Sequence, residues 1–377
     1  MRTYVCDNCW LVQLPAHHGA AELFTADYAY FSSVAKSWVA HAEAYVATMI
    51  ARFGLSQRDW VVEVASNDGY LLQWFKAARI PCTGIEPTAS TAAAARARGI
   101  ESIERFFGAQ LAGELVRERG PARLTAANNV LAHVPDIDDF VRGFAVLLAP
   151  EGVATFEFPH LTELVEGCQF DTIYHEHYSY LSLTAVARIF ASHDLRVFDV
   201  ECLPTHGGSL RVFACHTAAV HIESPSVGEV LARERKDGVT TLAYYGGLAD
   251  QAARIKLDLL EFLIAQKRAN KLVAAYGAAA KGNTLLNYAG IDADLIAFVC
   301  DAAPSKQAQY LPGSHVPILP PAALRERKPD FVLILPWNLR SEITADYDYI
   351  KDWGGRFVVA VPQLEVVGSS EEMKIRS

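Results

Sequence analysis

The chain has 377 residues, of which 51% are hydrophobic and 20% charged, and its formal net charge is -9. This length predicts two or three domains with sizeable cores, and an acidic chain without a basic block argues against nucleic acid as a partner. No apolar run reaches the ~18 residues of a membrane helix, and MRTYVCDNCW lacks a signal-peptide core. The seven cysteines are mostly scattered, so we expect a cytoplasmic protein with reduced thiols and no membrane contact.

The chain begins with a short segment that contains two cysteines. Cys6 and Cys9 have the C-x-x-C spacing of half a zinc ribbon, but a structural zinc ion takes four ligands and no second close pair follows. His17 and His18 lie nearby at a spacing that does not make a knuckle. Cys6 and Cys9 are therefore predicted as a half site at most.

The rest of the chain alternates strand and helix patterns twice, once near Val61 and once near Leu272. Strand, helix and strand in this rhythm indicate parallel sheets with helices on their faces. Between the two runs, from about Ser224 to Asn270, the pattern is mostly helical, with an interruption at YYGG. We predict an α/β protein with two Rossmann-like three-layer domains, divided into a partial zinc-ribbon-like segment (1–20), a cofactor-binding domain (21–217), a helical connector (218–270) and a C-terminal domain (271–377).

The first loop of interest, EVASNDGYLL, joins a strand to a helix. Ligands of doubly wound folds bind at the carboxyl ends of such strands, which places Ser66, Asn67 and Gly69 at a candidate site. A single glycine suits a pyrophosphate poorly, whereas S-adenosylmethionine (SAM) has no phosphate. Glu86 ends the next strand, where a carboxylate can accept hydrogen bonds from two ribose hydroxyls. The alternative is an ordinary turn followed by a surface glutamate.

A third strand pattern, LTAANNVLAHVPD, leads to Asn128, Asn129 and His133. Adjacent asparagines after a strand are also typical of a plain turn. Together with Glu63 and the preceding loop, they favour a cofactor crevice.

The second loop, AYGAAAKGNTLLNY, resembles a phosphate-binding loop but fails its pattern, because Lys281 precedes the last glycine. Gly277, Gly282 and the backbone N–H groups of a helix start still favour an anion. Asp301 closes the next strand at a ribose position. A phosphate-bearing ligand and a duplication that binds nothing both remain open.

Taken together, the chain resembles the SAM-dependent sugar C-methyltransferases, which methylate a ring carbon of nucleotide-linked keto-deoxysugars such as the precursors of mycarose. The resemblance runs nearly the whole length through these stretches: CDNCWLVQL, DYAYFSS, EVASNDGYLL, GIEPTAS, NNVLAHVPD, FDTIYHEHYSY, HGGSLRVF, YGAAAKGNTLLNY and CDAAPSKQAQYLPGSHVPI.

This resemblance implies a zinc-binding lobe with two cysteine pairs, a central class I methyltransferase domain and a C-terminal Rossmann-like domain. This chain starts at the family's second pair, so either its start is misplaced or the lobe is reduced, and a complete zinc site is not expected. The implied partner is a nucleotide-diphosphate 4-keto-deoxysugar, dTDP-linked by preference, bound by a monomer. We expect carbon 3 rather than carbon 5 to be methylated, although both flank the ketone.

The resemblance also assigns catalytic roles. His177 is the implied general base, Glu176 a supporting acid/base group, and Tyr174 a hydrogen-bond donor to the sugar or its enolate. His133 is a donor candidate for the developing oxyanion, and Tyr28 matches an active-site position of the family.

Other residues of these motifs are less determined. In an extended strand His175 and His177 would share one face, so adjacent roles for Glu176 and His177 require a turn, and His175 is predicted to be structural. Lys281 and Asn283 are candidates for the nucleotide diphosphate or its pyrimidine. His206 and Arg211 are either structural or reach phosphate. The competing functions are a nicotinamide-dependent sugar oxidoreductase and a noncatalytic zinc-ribbon interaction protein.

Overall fold

The computed structural model describes residues 1–26 and 30–368 and divides the chain into two compact units. The first unit comprises Met1–Thr162 and His175–Tyr244, and the second comprises Glu163–Tyr174 and Tyr245–Ser377. The four-part division read from the sequence stays a prediction. No helix within the described ranges is long and apolar enough to cross a membrane.

The strands of the first unit form a large sheet and a small one. They are β1 (Tyr4–Val5), β2 (Val12–Gln13), β3 (Val61–Val64), β4 (Cys82–Ile85), β5 (Glu101–Ile103), β6 (Ala122–Asn128), β7 (Leu148–Pro159), β8 (Ser179–Tyr180), β9 (Leu195–Leu203) and β10 (Ser209–His216). The large sheet has the order β5-β4-β3-β6-β7-β10-β9, and the small one β1-β2-β8. Strands β3 to β7 are parallel, while β10 runs antiparallel to β7 and β9. The order reverses between β3 and β6, so the switch point lies at their carboxyl ends.

Helices cover both faces of the large sheet. They are α1 (Ala20–Leu23), α2 (Lys36–Phe53), α3 (Leu72–Ala77), α4 (Ala89–Ala97), α5 (Ala109–Arg119), α6 (Ile137–Leu147), α7 (Leu161–Glu166, in which the chain leaves the first unit), α8 (Leu183–Ala191) and α9 (Pro225–Asp237). Val61 and Val62 belong to two different apolar clusters. Because neighbouring side chains of a strand point to opposite faces, the two clusters are the two halves of a three-layer core.

The second unit repeats this plan on a smaller scale. Its elements are α10 (Leu248–Arg268), β11 (Val273–Tyr276), α11 (Ala280–Ala289), β12 (Val299–Cys300), β13 (Ile318–Leu319), α12 (Ala322–Arg327), β14 (Phe331–Ile334), α13 (Arg340–Asp346), β15 (Arg356–Val359) and β16 (Glu365–Val366). The sheet order is β13-β12-β11-β14-β15-β16, parallel except at β16. Its switch point lies between β11 and β14. The predicted α/β class with two Rossmann-like sheets is confirmed.

The predicted helical stretch before the second run is also confirmed, with its interruption. Ser224 caps α9, Pro225 occupies its first turn, and Gly238 ends it in the left-handed conformation with φ of 94°. These are the usual start and stop signals of a helix. The chain resumes helical structure at α10 after Gly247.

Candidate functional site

The loop after β3 is a tight, buried turn. Asn67 and Gly69 have positive φ angles of 49° and 77°, and a Cβ at Gly69 would lie 2.5 Å from Ile100 Cδ1. Glycine is therefore required there by backbone conformation and by space. The Asn67 N–H donates to Glu86 Oε2 at 2.9 Å, which joins this loop to the end of β4. The sequence-predicted residues Asn67, Gly69 and Glu86 are thus brought together at the switch point.

Several buried acceptor atoms in this region have no hydrogen-bond partner within the described chain. They are both carboxylate oxygens of Glu63, Ser66 Oγ, Asn128 Oδ1 and Asn129 Oδ1. Unsatisfied buried polar atoms are costly, so a cluster of them at a switch point indicates a ligand that donates hydrogen bonds. Burial raises the pKa of Glu63 well above its ordinary value.

Asn129 follows β6 in a conformation held from two sides. Its φ is 54°, its N–H donates to the Glu157 carbonyl at 2.7 Å, and its Nδ2 donates to His206 Nε2 at 3.1 Å. Trp38 packs edge-on against His206 at 5.1 Å and stacks on Tyr70 at 5.9 Å between ring centroids. His206 therefore lies beside the cofactor-side asparagine.

Arg211 lies in a buried ionic cluster behind this turn. Arg211 Nη2 donates to Glu157 Oε2 at 2.8 Å, and the Thr205 hydroxyl donates to Glu157 Oε1 at 3.0 Å. His41 Nε2 lies 2.9 Å from the same carboxylate. Burial alone would raise the pKa of Glu157, but the hydrogen bond from His41 and the charge of Arg211 outweigh it and lower that pKa. The cluster holds the turn that carries His206.

Glu176 and His177 can act side by side only if the chain turns there, and the DTIYHEHYSY stretch contains such a turn. Tyr174 lies at a bend, and His175 and Glu176 form a turn. His177 then packs edge-on against His133, with 4.6 Å between ring centroids, and the Tyr178 N–H donates to the Ala132 carbonyl at 2.8 Å. The predicted base is thus held against the segment that follows β6.

His133 is half-buried, and its ring is neutral near physiological pH. Burial lowers its pKa to about 4, although a hydrogen bond with the backbone of Glu176 acts in the opposite direction. Its Nδ1 has no hydrogen-bond partner among the residues that the structure describes. A neutral imidazole can donate or accept at that position, depending on its tautomer.

His175 has other ring neighbours than His177 does. His175 is exposed and packs edge-on against His17 and His18 at 6.4 and 6.0 Å between centroids. Tyr174 is the last residue assigned to the second unit before the chain re-enters the first. Tyr28 lies outside the described residues.

Cys6 and Cys9 lie in the turn between β1 and β2, and the Cys6 N–H donates to the Leu11 carbonyl at 3.0 Å. A hydrogen bond from the Cys9 backbone lowers the pKa of Cys6, while burial raises that of Cys9. Across residues 1–26 and 30–368, no group of three or more metal-ligating side chains is assembled. These two thiols alone do not fit a four-ligand zinc site.

The switch point of the second unit contains the other predicted residues. A Cβ at Gly277 would lie 2.4 Å from Pro336 Cδ, and one at Gly282 would lie 2.6 Å from Leu335 Cβ. Close packing therefore accounts for both glycines. Lys281 Nζ donates to Asn338 Oδ1 at 2.8 Å. Asn283 Oδ1 is buried and has no partner in the described part of the chain.

The sequence analysis did not identify several residues that are distant in sequence but contact these sites. Trp38, His41 and Glu157 surround the asparagine turn, and Asp171 and Trp337 contact each other in the second unit. Only Asp171 had a local signal, since it belongs to the polar stretch that stood out. The others depend on contacts between distant segments.

Comparisons with known proteins agree with this architecture. Residues 38–200 match a family described as methyltransferase domain, and residues 204–362 match one described as C-methyltransferase C-terminal domain. The C-methyltransferase NovU of Streptomyces niveus is 38% identical over 369 residues, which are 98% of this chain and 88% of that protein.

Two solved methyltransferase structures show a distant likeness. Magnesium protoporphyrin IX methyltransferase from Synechocystis PCC 6803, with bound SAM, is 12% identical and covers 47% of this chain and 79% of its own, with a TM-score of 0.36. A methyltransferase from Bacillus halodurans is also 12% identical, covering 45% of this chain and 98% of its own, with a TM-score of 0.37.

The doubly wound sheet, the match of residues 38–200 to a methyltransferase domain and the C-methyltransferase relative identify a SAM-dependent methyltransferase. By its 38% identity to NovU over nearly the whole chain, the protein belongs to the C-methyltransferase family. The ammonium group, ribose and adenine of SAM carry hydrogen-bond donors. Hydrogen bonds from them would be accepted by Glu63, Ser66, Glu86, Asn128 and Asn129.

Proposed function

We propose that the protein methylates the carbon next to the ketone of a nucleotide-diphosphate 4-keto-deoxysugar, at carbon 3 rather than carbon 5. The observation that carries this proposal is the His133–His177 pair, which adjoins the carboxyl end of β6 beside the cofactor crevice. A carbon nucleophile requires removal of a C–H proton, and a histidine base suits that task near neutral pH. The resemblance to sugar C-methyltransferases supplies the substrate class.

In this proposal His177 takes the proton from the carbon beside the ketone. The electron pair of the broken C–H bond moves toward the carbonyl oxygen, and hydrogen-bond donors stabilise the resulting enolate. Bound SAM supplies an electrophilic methyl group on a sulfonium. In an extended strand the side chains of Glu176 and His177 would point to opposite faces. Because His175 and Glu176 form a turn, both Glu176 and His177 can serve the same reaction.

His133 contributes a neutral ring beside the base. A cation at this position would disfavour the imidazolium that His177 becomes after taking the proton. Because burial keeps His133 uncharged down to a pH of about 4, the pair can accept one proton without that repulsion.

The nucleotide is proposed to bind at the switch point of the second unit, near Gly277 and Asn283. Asn283 Oδ1 has no hydrogen-bond partner in the described part of the chain. It would accept a hydrogen bond from the ligand, such as one from a pyrimidine N–H or a ribose hydroxyl.

The test is incubation of the purified full-length protein with SAM and a panel of 4-keto-6-deoxysugar nucleotides carrying dTDP or UDP. We expect one product with a mass increase of one methylene, and NMR should place the new methyl group on carbon 3. Methylation on oxygen, or no product from any 4-keto sugar, would refute the proposal. Methylation on carbon 5 would correct the position alone.

A further inference from the structure

His206 lies in the turn between β9 and β10 and has the left-handed backbone conformation, with φ of 55°. A residue with a Cβ is disfavoured there, and the next two residues, Gly207 and Gly208, also have positive φ angles, of 91° and 114°. Strain of this kind persists where the surrounding structure determines the conformation, and it is concentrated at functional sites. A histidine in this conformation therefore indicates that its imidazole is used.

Hydrogen bonds hold the turn on both sides of His206. Before it, the Thr205 hydroxyl donates to Glu157 Oε1 at 3.0 Å, and after it the Gly208 N–H donates to the Thr205 carbonyl at 2.9 Å. The backbone carbonyl of Glu157 accepts the Asn129 N–H at 2.7 Å. Because Glu157 at the end of β7 holds both segments, His206 and Asn129 have a fixed relative position.

The imidazole of His206 is hydrogen-bonded to a side chain of the cofactor crevice. Its Nε2 lies 3.1 Å from Asn129 Nδ2, and the Trp38 ring packs edge-on against it with 5.1 Å between ring centroids. An amide nitrogen only donates, so Nε2 is the acceptor and the neutral ring has its proton on Nδ1. Asn129 Oδ1 is then directed away from His206, and it is buried without a hydrogen-bond partner in the described part of the chain.

The orientation of the Asn129 carboxamide decides which group of a ligand can meet it. With Nδ2 directed to His206, the amide presents an acceptor, which suits the N–H and O–H groups of SAM. The reversed amide would present N–H donors, and a donor of the ligand would be left unsatisfied, which lowers affinity. An asparagine that has no neighbour of defined hydrogen-bonding character can take either orientation.

We propose that His206 is a positioning residue for the cofactor. By accepting a hydrogen bond from Asn129 Nδ2, it fixes the carboxamide so that Oδ1 accepts a hydrogen bond from SAM. His206 acts on SAM affinity through Asn129 and is not a ligand of the substrate phosphate. This inference concerns the cofactor crevice and does not depend on which sugar is methylated.

The test is a double-mutant cycle with His206→Leu, Asn129→Leu and the combined variant, in which calorimetry measures the Kd for SAM. Asn129→Leu should weaken binding roughly 10-fold, and His206→Leu roughly 3- to 10-fold, because each removes or misdirects one hydrogen bond. The combined variant should bind no more weakly than Asn129→Leu, since residues that act through one another are not additive. His206→Gln can accept through its side-chain carbonyl and should stay within about threefold of the wild-type Kd.

The tautomer of His206 is a second measurement, which requires neither SAM nor catalysis. Nitrogen NMR chemical shifts of the imidazole distinguish the two tautomers, and the signals that disappear in His206→Gln identify the ring. We expect the proton on Nδ1. Urea denaturation shows whether each variant is folded, and the tautomer still tests the inference should His206→Leu not fold. His193→Leu removes an imidazole that hydrogen-bonds the exposed Asp138 and should keep the wild-type Kd for SAM.

Three results would overturn the inference. A proton on Nε2 would mean that the Asn129 amide has the reverse orientation. Additive losses in the combined variant would show that His206 contacts SAM independently of Asn129. An unchanged Kd for SAM in a folded His206→Leu variant would exclude a role toward the cofactor, and weaker binding of dTDP in that variant would then identify a phosphate contact.

Discussion

Glu63 and Glu86 are buried carboxylates on neighbouring strands, yet only Glu86 is well hydrogen-bonded. It accepts from the N–H groups of Asn67 and Thr88, each at 2.9 Å, whereas both oxygens of Glu63 are unpartnered within the described ranges. Glu86 thus shapes the loop and retains lone pairs for a ligand. Glu63 is the group that a bound donor would satisfy.

We expect Glu86→Gln to weaken SAM binding about 10-fold, because a hydrogen bond to a charged acceptor contributes roughly 1.5–3 kcal/mol and the amide retains part of it. Calorimetric titration with SAM measures the change. Glu104→Gln, at a partly exposed carboxylate paired with Arg96, is the matched control. An unchanged Kd in the Glu86 variant would place the ribose elsewhere.

His177 and His175 offer a matched pair within one turn. His177→Asn should slow deuterium exchange at the carbon beside the ketone by roughly 100-fold or more, the usual loss of a general base. His175→Asn should exchange at nearly the wild-type rate, since its exposed ring packs on His17 and His18. Exchange that survives in the first variant and fails in the second would reverse the assignment. SAM affinity should be similar in all three proteins.

The pH dependence of stability should report the burial of His133. Its pKa is about 4 in the folded protein and 6.5 ordinarily, so between these values the unfolded chain binds more protons. The free energy of unfolding therefore rises with pH in this window and falls as the pH drops, by about 3 kcal/mol from this residue. Denaturant titrations at pH 7 and pH 4 should show that the His133→Asn variant loses less stability on acidification than the wild-type protein does. Equal losses would mean that the ring is not buried in solution.

At the scale of elements, the N-terminus of α8 depends on a residue from a distant helix. Glu234 of α9 is fully buried and accepts hydrogen bonds from the N–H groups of Leu183 and Thr184 at 2.7 and 2.8 Å. His160 Nε2 lies 2.7 Å from the same carboxylate. Burial alone would raise the pKa of Glu234, but hydrogen bonds from His160 and Thr184 outweigh it and lower that pKa.

Glu234→Ala should lower the free energy of unfolding by about 3–5 kcal/mol, because it leaves buried donors without an acceptor. Glu229→Ala, at an exposed position of the same helix, should change it by less than about 0.5 kcal/mol. Urea denaturation measures both. A loss of under about 1 kcal/mol in the Glu234 variant would show that water replaces the carboxylate.

Element prediction succeeded where the local pattern was strong. The strand–helix alternation predicted near Val61 contains β3, β4, β6 and β7, and the one predicted near Leu272 contains β11, β12, β14 and β15. Short strands such as β5 and β13 escaped notice, because two or three residues cannot show a period. The antiparallel pair β9 and β10 was not predicted as separate strands.

At the scale of the whole molecule, the chain contains two switch points that differ in chemistry. The first offers unfilled acceptors. In the second, Asp301 accepts from the Ala278 N–H at 2.7 Å, and an N–H group that could meet a phosphate is thereby occupied. Neither loop has the glycine pattern that lets a backbone approach a pyrophosphate.

We therefore expect SAM, and not NAD, to stabilise the full-length protein. A ligand at 100 times its Kd stabilises the folded state by about 2.7 kcal/mol, which thermal unfolding detects readily. NAD at millimolar concentration should leave the Tm unchanged. Stabilisation by NAD without stabilisation by SAM would favour a nicotinamide-dependent oxidoreductase.

The amino-acid sequence alone determined the α/β class, the SNDG turn, the carboxylate at Glu86 and the polar stretch around His177, because these follow from periodicity and local motifs. Tertiary structure alone decided which distant groups each side chain meets. Lys281 has the local setting of a phosphate ligand, yet it lies over the Trp337 ring and donates to Asn338. Glu234 looks like a surface residue of a charged helix, yet it caps α8. Such partners depend on how distant segments pack, and no local pattern contains that information.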